Sequence, residues 1–376
     1  MTKDLTLSSW KRLPRTLHKV AVIIISYNTA ELTRQCLEAV LESTGVELDI
    51  YVLDNASTDR TPVHLARKYH LKKDAELLAR LQKRKDDPQL QQLFPSLAGD
   101  ADQVGSIRSG KVQDHTLHII ENRQNLGFGR TNNLAAALTD ADHLLFLNSD
   151  AFVKSSSIYR LVRAWKAVKV AKPSSVLARM KGQLDNLGIA SAHLYNSDLT
   201  PQKQGGAIPS LWNIFTWITF LDDLPLFHRI SASYQHHASQ MGWLNRQKLA
   251  KVGWVGGTAM MISRPCLQEI GGFDPNIFMY GEDVELCWRA TKRHWDISLV
   301  DAGKVVHVGS ASGDTGRAMV GEIGGLVYLW HKHCSNSEVW MLRQILKLGI
   351  RLRILLFGIL RRYGRQRIYK EALALV

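Results

Sequence analysis

Only four cysteines occur in 376 residues, at positions 36, 266, 287 and 334, and no two of them form a C-x-x-C pair. That scarcity excludes a disulfide scaffold, speaks against a zinc site and fits a reducing cytosol. No uncharged apolar run reaches 18 residues, so no segment reads as a membrane span. Residues 1–19 lack the charged, apolar, small-residue order of a secretion signal and read as a short polar lead-in, which points to a cytoplasmic location. Neither an internal repeat nor a low-complexity tract is present. Acidic residues are few beside basic ones, 34 against 48, and the net charge is +14. Such a surplus implies an anionic partner: nucleic acid, an acidic membrane surface or a phosphorylated substrate. Nucleic acid is not expected, because the basic residues gather in the C-terminal tail and one insertion, without aromatic interleaving on a recognisable module.

What is present is an ordinary apolar fraction of 45%, enough for a sizeable core. "VAVIIIS" (20–26), "LDIYVLD" (48–54), "LHIIE" (117–121) and "HLLFLNS" (143–149) are short, apolar, β-branched runs that predict strands. Residues 31–42 and "GRTNNLAAALTDA" between them predict helices, and the alternation predicts an α/β protein with a parallel sheet. "SYN", "DNASTD" and "NSD" each follow a strand directly, the position where open α/β sheets bind ligands. The connection from Arg60 to Thr116 is long for a crossover. "ARKYHLKKDAELLARLQKRK" within it predicts an inserted helix, and Asp86 to His115 a mobile loop. "IPSLWNIFTWITFLDDLPLF" (208–227) reads as peripheral core or as an apolar acceptor- or lipid-facing patch. "VGGTAMMIS" (255–263) and "ISLVDAGKVVHVGS" (297–310) predict two further strands.

"IFMYGEDVELCWRA" sets Glu282 and Asp283 where aromatic sequence turns into a helix. Its plain meaning is first-turn acids favoured by the helix dipole. Asp150 ends one strand and His307 a much later one; a carboxylate and an imidazole suit Mg²⁺ or Mn²⁺ shared with substrate phosphates. Asp54 ends the second strand, where a carboxylate can accept a hydrogen bond from a base N–H. "NLGFG" (125–129) exposes backbone N–H groups just before a helix, a common way to approach phosphate.

"SYN", "DNASTD", "NLGFGRTNN", "NSD", "GGTAMMISR", "GGFDPNIFMYGEDVELCWR" and "HVGS" stand in the order found in glycosyltransferase family 2. The set most resembles its rhamnosyltransferase-like branch, over residues 20–310. The resemblance implies a GT-A fold, an α/β architecture whose Rossmann-like, mostly parallel sheet is flanked by helices. It implies a catalytic domain at 20–335, with the insertion at about 60–116 and an acceptor-side region at about 185–310. It also implies inversion at the anomeric carbon, a nucleotide-diphosphate sugar donor, with dTDP-L-rhamnose the best guess, and a glycan or polyprenyl-diphosphate-linked acceptor in cell-wall, O-antigen or exopolysaccharide synthesis.

Position by position, the resemblance makes Asp283 the base, with Glu282 beside it and Arg289 in the same catalytic group. Asp150 and His307 become the metal ligands, with Mg²⁺ or Mn²⁺ the ion. The donor contacts become Ser26, Tyr27, Asn28, Asp54, Asn55, Asn125, Gly127, Phe128, Asn132, Asn133, Asn148, Asp150 and Gly257. Asn148 stands where the family's pattern has its first Asp, which removes one charge from the donor site. A nucleotidyltransferase of similar fold is the nearest rival, but the Gly-rich basic loop it needs after "IIIS" is missing. A non-catalytic homologue binding membrane or nucleic acid is the other.

Residues 336–376 lie beyond the pattern. From Met341 onward they hold nine Lys/Arg against one Glu. They predict a basic amphipathic helical tail in which Arg343, Lys347, Arg351, Arg353, Arg361 and Arg362 face anionic headgroups, peripheral on the inner face of the cell membrane; the alternative is a helix packed on the catalytic domain with its basic face solvated.

Overall fold

The apolar run at Val20–Ile24 is completely buried because its strand, β1 (Lys19–Ser26), lies in the middle of a large sheet. Successive side chains of β1 enter two different cores: Ala21 and Ile23 on one face, Val20, Val22 and Ile24 on the other. That is the period of two of an extended chain. The structure is a computed structural model describing residues 19–170, 186–224, 233–235, 249–309 and 315–376.

In chain order the first half comprises β1, α1 (Ala30–Leu41), β2 (Glu47–Asp54), α2 (Thr61–Lys68), β3 (Lys72–Lys73), α3 (Ala75–Arg84), α4 (Pro88–Leu93), α5 (Leu97–Ala101), β4 (Val104–Val112), β5 (His115–Asn122), α6 (Phe128–Leu138), β6 (His143–Asn148), β7 (Ala151–Phe152) and α7 (Ser157–Val170). The second half comprises β8 (Leu187–Tyr195), α8 (Leu211–Ile218), β9 (Leu249–Val252), β10 (Ala259–Ser263), α9 (Arg264–Ile270), α10 (Glu282–Lys292), β11 (Asp296–His307), α11 (Thr315–His333), α12 (Asn336–Ile359) and α13 (Tyr363–Leu373). The strands form one sheet in the order β3-β4-β5-β2-β1-β6-β10-β8-β11-β7, with β9 also paired to β11. Strands β5, β2, β1 and β6 are parallel to one another. Beyond β6 the pairing turns antiparallel, through β10 to β8. A Rossmann-like half thus continues into a second half within one sheet, as the resemblance implies.

Four segments differ from expectation, the C-terminal tail among them. Residues 86–115, expected as a mobile loop, form α4, α5 and β4. Asp87 caps α4, β4 pairs antiparallel with β5, and Phe94, Leu97, Ala101 and Ile107 enter the core. A sparse, one-sided apolar pattern spread over short elements hid that order. Strand β8 carries no strong sequence mark because Gly188, Ala190, Ser191 and Ala192 dilute its apolar signal, yet it is buried along nearly its whole length between β10 and β11. The run at 255–263 is strand only from Ala259; Val255–Thr258 form the turn that the site uses.

The tail differs most. It forms two helices, α12 and α13, and both pack on the domain: α12 on α8 and α11, α13 on α11. Ser335 and Glu338 form a capping box at the start of α12, which buries Leu342, Leu346, Ile350, Arg353 and Phe357. Arg353 therefore does not face headgroups. Its guanidinium donates to the carbonyls of Ile218 at 2.7 Å and Trp217 at 2.5 Å and to the Tyr369 hydroxyl, and lies 3.9 Å from the Phe220 ring centre. Those carbonyls belong to the end of α8, whose exposed C=O groups a cation satisfies. Trp217 and Ile218 are buried there, so the aromatic stretch at 208–224 is peripheral core; its last residues, 225–227, lie outside the described residues. Arg353→Ala is expected to cost about 2–4 kcal/mol in urea unfolding, through lost packing and orphaned carbonyls. The exposed neighbour Arg351→Ala should stay within about 0.5 kcal/mol of the parent.

Candidate functional site

The parallel register sets Ser26 opposite Asp54, so the loops after β1 and β2 leave the sheet side by side. They are tied together. Asn28 Oδ1 accepts from the Thr58 N–H at 2.8 Å, the Asn28 N–H donates to Ser57 Oγ, and Asp59 accepts from the Ala30 N–H at the start of α1. Tyr27 stands out of this rim, 45% exposed. Asp54 is buried; one carboxylate oxygen accepts from the Ser57 N–H at 2.9 Å, while Oδ1 has no partner among the described residues. Burial pushes its carboxyl up from the usual range. A buried acceptor left open at a strand end is a place for a ligand donor group.

Several predicted donor contacts prove to be braces. Ser26 is fully buried in a hydroxyl cluster with Thr29 and Thr33. Asn55 Oδ1 accepts from the Leu126 N–H, Thr131 Oγ1 and Asn122 Nδ2, while its Nδ2 donates to Asn125 Oδ1 and the Gly127 carbonyl. Asn133 donates to the Phe273 carbonyl and accepts from the Phe273 N–H. These side chains fix the 125–133 loop rather than face a ligand. Gly127 is required there: its φ is +80°, and a Cβ would lie 2.5 Å from the Phe278 carbonyl oxygen. Asn132 Nδ2 bonds the Phe128 carbonyl, and its buried Oδ1 is open.

Asp150 and His307 lie 157 positions apart and meet because β7 pairs with the end of β11, His307 opposite Ala151. His307 Nε2 is 3.3 Å from Asp150 Oδ1. On its other side Nδ1 is 2.7 Å from Gln202 Oε1, an oxygen that can only accept. Nδ1 therefore carries a proton, which leaves Nε2 as the ring nitrogen that can ligate a metal beside the carboxylate. Two donors of one octahedral ion bound at about 2.1 Å sit about 3 Å apart, so this pair fits Mg²⁺ or Mn²⁺, with Gln202 orienting the imidazole. No cluster of three such side chains occurs among the described residues, and substrate phosphates would supply the remaining ligands.

Helix α10 begins at Gly281, with no side-chain cap, so the first-turn N–H groups are left for the acids. Asp283 Oδ1 accepts from the Val284 N–H at 2.8 Å and Oδ2 from the Gly257 N–H at 3.1 Å. At the next residue of the same turn, the Thr258 carbonyl accepts from the Asn148 N–H at 2.9 Å. The acid pair is thereby linked to the strand end carrying Asp150. Phe128 and Asp283 both approach Gly257 where a side chain would begin: a Cβ there would lie 3.1 Å from the Phe128 ring and 4.0 Å from the Asp283 Cβ.

Dipole and desolvation oppose each other at this helix start, and desolvation wins: burial raises both carboxyls. Glu282 is raised further by the Asp283 charge, to about 8, while the Val284 and Gly257 N–H groups favour the Asp283 carboxylate. Arg289, predicted to act with them, does not. Its donors are taken by Glu285 and by the Ile270 and Gly272 carbonyls, which makes it a brace under the 270–273 turn.

A third carboxylate escaped the sequence reading. Glu322 on α11 accepts from Gln235 Nε2 at 2.5 Å and bonds the Tyr234 hydroxyl. Burial and the charge of Asp283 push its carboxyl up to about 7. What brings α11 so close is Gly325, where a Cβ would lie 2.7 Å from the Tyr280 carbonyl oxygen. The run "GEIGG" was the available signal.

The family model for glycosyl transferase family 2 matches residues 21–85 and 99–221, half of the chain, and skips only the α4 part of the insertion between them. An N-acetylglucosaminyl-diphospho-decaprenol L-rhamnosyltransferase of Mycobacterium tuberculosis is 30% identical over 125 residues, 31% of this chain and 39% of that protein. Rhamnosyltransferase WbbL of Escherichia coli K12 is 23% identical over 196 residues, 48% of this chain and 60% of that protein. The chain thus spans less than two thirds of either relative. A mannosyltransferase of Pyrobaculum calidifontis, solved with GDP-Man and Mn²⁺, aligns over 98% of this chain and 90% of its own at 14% identity, with a TM-score of 0.48. The ordered motifs and the family match over half its length agree: the chain belongs to glycosyltransferase family 2.

Proposed function

We propose that this protein is an inverting, metal-dependent glycosyltransferase that moves L-rhamnose from dTDP-L-rhamnose to a hydroxyl of a lipid-linked glycan at the inner face of the cell membrane. One observation carries the reading. A single turn, Gly257–Thr258, bonds Asp283 through one residue and the strand end before Asp150 through the next. A base for the acceptor and a site for a diphosphate are thus held in fixed relation, and alignment of two substrates supplies several kcal/mol of a transfer barrier. The names of the rhamnosyltransferase relatives support the sugar and the lipid-linked acceptor.

In this mechanism ionised Asp283 takes the acceptor hydroxyl proton as that oxygen attacks the anomeric carbon opposite the diphosphate. The bond from the anomeric carbon to the diphosphate oxygen breaks, its electron pair leaves with the nucleotide, and the configuration inverts. A divalent ion held by Asp150 and His307 would offset the leaving charge as a Lewis acid. Glu282, protonated, keeps a second charge away from the base. Asp54 Oδ1 accepts from the base N–H, and Tyr27 covers the base. Glu322 with Tyr234 and Gln235 walls the acceptor side.

The test is a thermal-shift panel of dTDP-, UDP- and GDP-sugars with Mn²⁺, followed by transfer assays on the binders. Ligand at about 100 times its dissociation constant adds about 2.7 kcal/mol to the folded state, a rise of about 2–5 °C for a chain of this size. dTDP-L-rhamnose is expected to give the largest rise, and Asp54→Ala to abolish it. A panel in which no nucleotide sugar moves the transition would end the proposal.

A further inference from the structure

Helix α12 is apolar on two opposite faces, and only one of them is covered by protein. Leu342, Leu346, Ile350 and Phe357 pack inward, while Leu348, Leu352, Leu355 and Ile359 recur at helical spacing on the outside. Ile359 is 70% exposed, Leu355 62% and Tyr363, just past the helix end, 65%. A second apolar stripe that the fold leaves uncovered suits burial against another protein or a lipid phase. This one cannot cross a bilayer, since no described helix is long and apolar enough, yet its outer stripe is too continuous for chance exposure.

The surroundings of the stripe are basic. Arg351, Arg361, Arg362, Arg365 and Lys370 are exposed around it, and no acidic residue lies between Glu338 and Glu371. An open groove of about 680 Å³ between α12 and α13 repeats the pattern, with Ile354, Leu355 and Ile359 on its floor and Arg351 and Lys370 at its rim. Apolar residues with cations around them suit the headgroup–acyl boundary of an anionic lipid layer. A second copy of the chain would bring an equally basic surface against this one, and like charges resist that pairing.

We infer that the outer face of α12 with the adjoining part of α13 docks the protein on anionic lipid, using the Leu348–Leu352–Leu355–Ile359 stripe for insertion and the exposed arginines for attraction. Of the six basic residues named from the sequence, Arg353 takes no part, because it is spent on α8. The placement also orients the site. Helices α12 and α13 pack on α11, which carries Glu322 and touches the turn before Asp283. Docking therefore puts the acceptor side of the cleft, rather than the nucleotide side, toward the lipid. That last step rests on the glycosyltransferase reading above; the docking surface itself does not.

The experiment is co-sedimentation of the full chain with phosphatidylglycerol vesicles and with phosphatidylcholine vesicles. Binding to the former is expected to exceed the latter by about tenfold or more and to fall with salt, since exposed charges are screened beyond about 8–10 Å. Leu355→Glu/Ile359→Glu should lower phosphatidylglycerol binding at least about tenfold, as should Arg361→Glu/Arg362→Glu. Both pairs are exposed, so the unfolding midpoint and the thermal shift with dTDP-L-rhamnose and Mn²⁺ should stay as in the parent. Vesicle binding that is absent in the parent, or unchanged in the Leu355/Ile359 variant, overturns the inference. A dimer in light scattering that the same variant dissociates, without vesicle binding in the parent, also overturns it and assigns the stripe to a second copy. If vesicles bind as expected while no nucleotide sugar does, the docking surface stands and the glycosyltransferase proposal falls.

Discussion

Asp283→Asn is expected to lower sugar transfer by about 10²–10⁴-fold while leaving donor affinity within about twofold. The magnitude is that of a positioned general base. The amide is isosteric, and its oxygen can still accept from the Gly257 N–H, so the turn should keep its place. Rapid-equilibrium donor binding beside single-turnover transfer separates the two effects; a collapse of donor affinity with surviving transfer would remove Asp283 from the base role.

The pH profile makes the test sharper. Burial raises the Asp283 carboxyl and its ionised form is the active one, so transfer should rise with pH along a limb displaced above the ordinary carboxylate range. Glu282→Gln keeps a neutral neighbour and should retain most activity near neutrality. Stability runs the other way. Glu322 binds its proton more tightly folded than unfolded, so its contribution is complete below the ordinary range near 4.5 and is lost as pH rises through about 7. Glu322→Gln should flatten that decline in urea midpoints measured between pH 4.5 and 7.5.

Loss of either metal-pair side chain should be nearly as severe. Asp150→Ala and His307→Ala are each expected to weaken Mn²⁺ binding in the presence of dTDP by about 10²-fold or more. Each removes one of the two proposed protein donors, and the ion is left to the other, the phosphates and water. Gln202→Ala should cost less, about 10–100-fold, because it frees the imidazole to turn without deleting it. Electron paramagnetic resonance of free Mn²⁺ measures this without reference to turnover, and EDTA should abolish the thermal shift given by the donor. Unchanged Mn²⁺ binding in both alanine variants would take Asp150 and His307 off the ligand list.

The sequence by itself determined the parallel strands β1, β2, β5 and β6, because a strand buried on both faces must be a continuous apolar run and little else reads that way. It also determined the polar clusters at or just beyond the ends of such strands, which hold Asp54 and Asp150, and the acid pair at the start of α10. Tertiary structure decided what no local pattern encodes. Residue type could not separate Asn55 and Asn133, which brace a loop, from Asp54 and Asn132, whose buried oxygens are open, since any of them can contact a ligand. Arg289 looked available until the carbonyls of the 270–273 turn appeared beside it. Glu322 joined the acid pair only because Gly325 lets one helix press on a turn 45 residues earlier. The balance between helix dipole and desolvation at Asp283 depends on what covers the helix start, and that cover comes from distant segments. The tail shows the same division. Its basic and apolar composition is written in residues 341–376, but which arginine points to solvent and which to α8 was settled by packing, where a buried cation must find carbonyls and rings to replace its water.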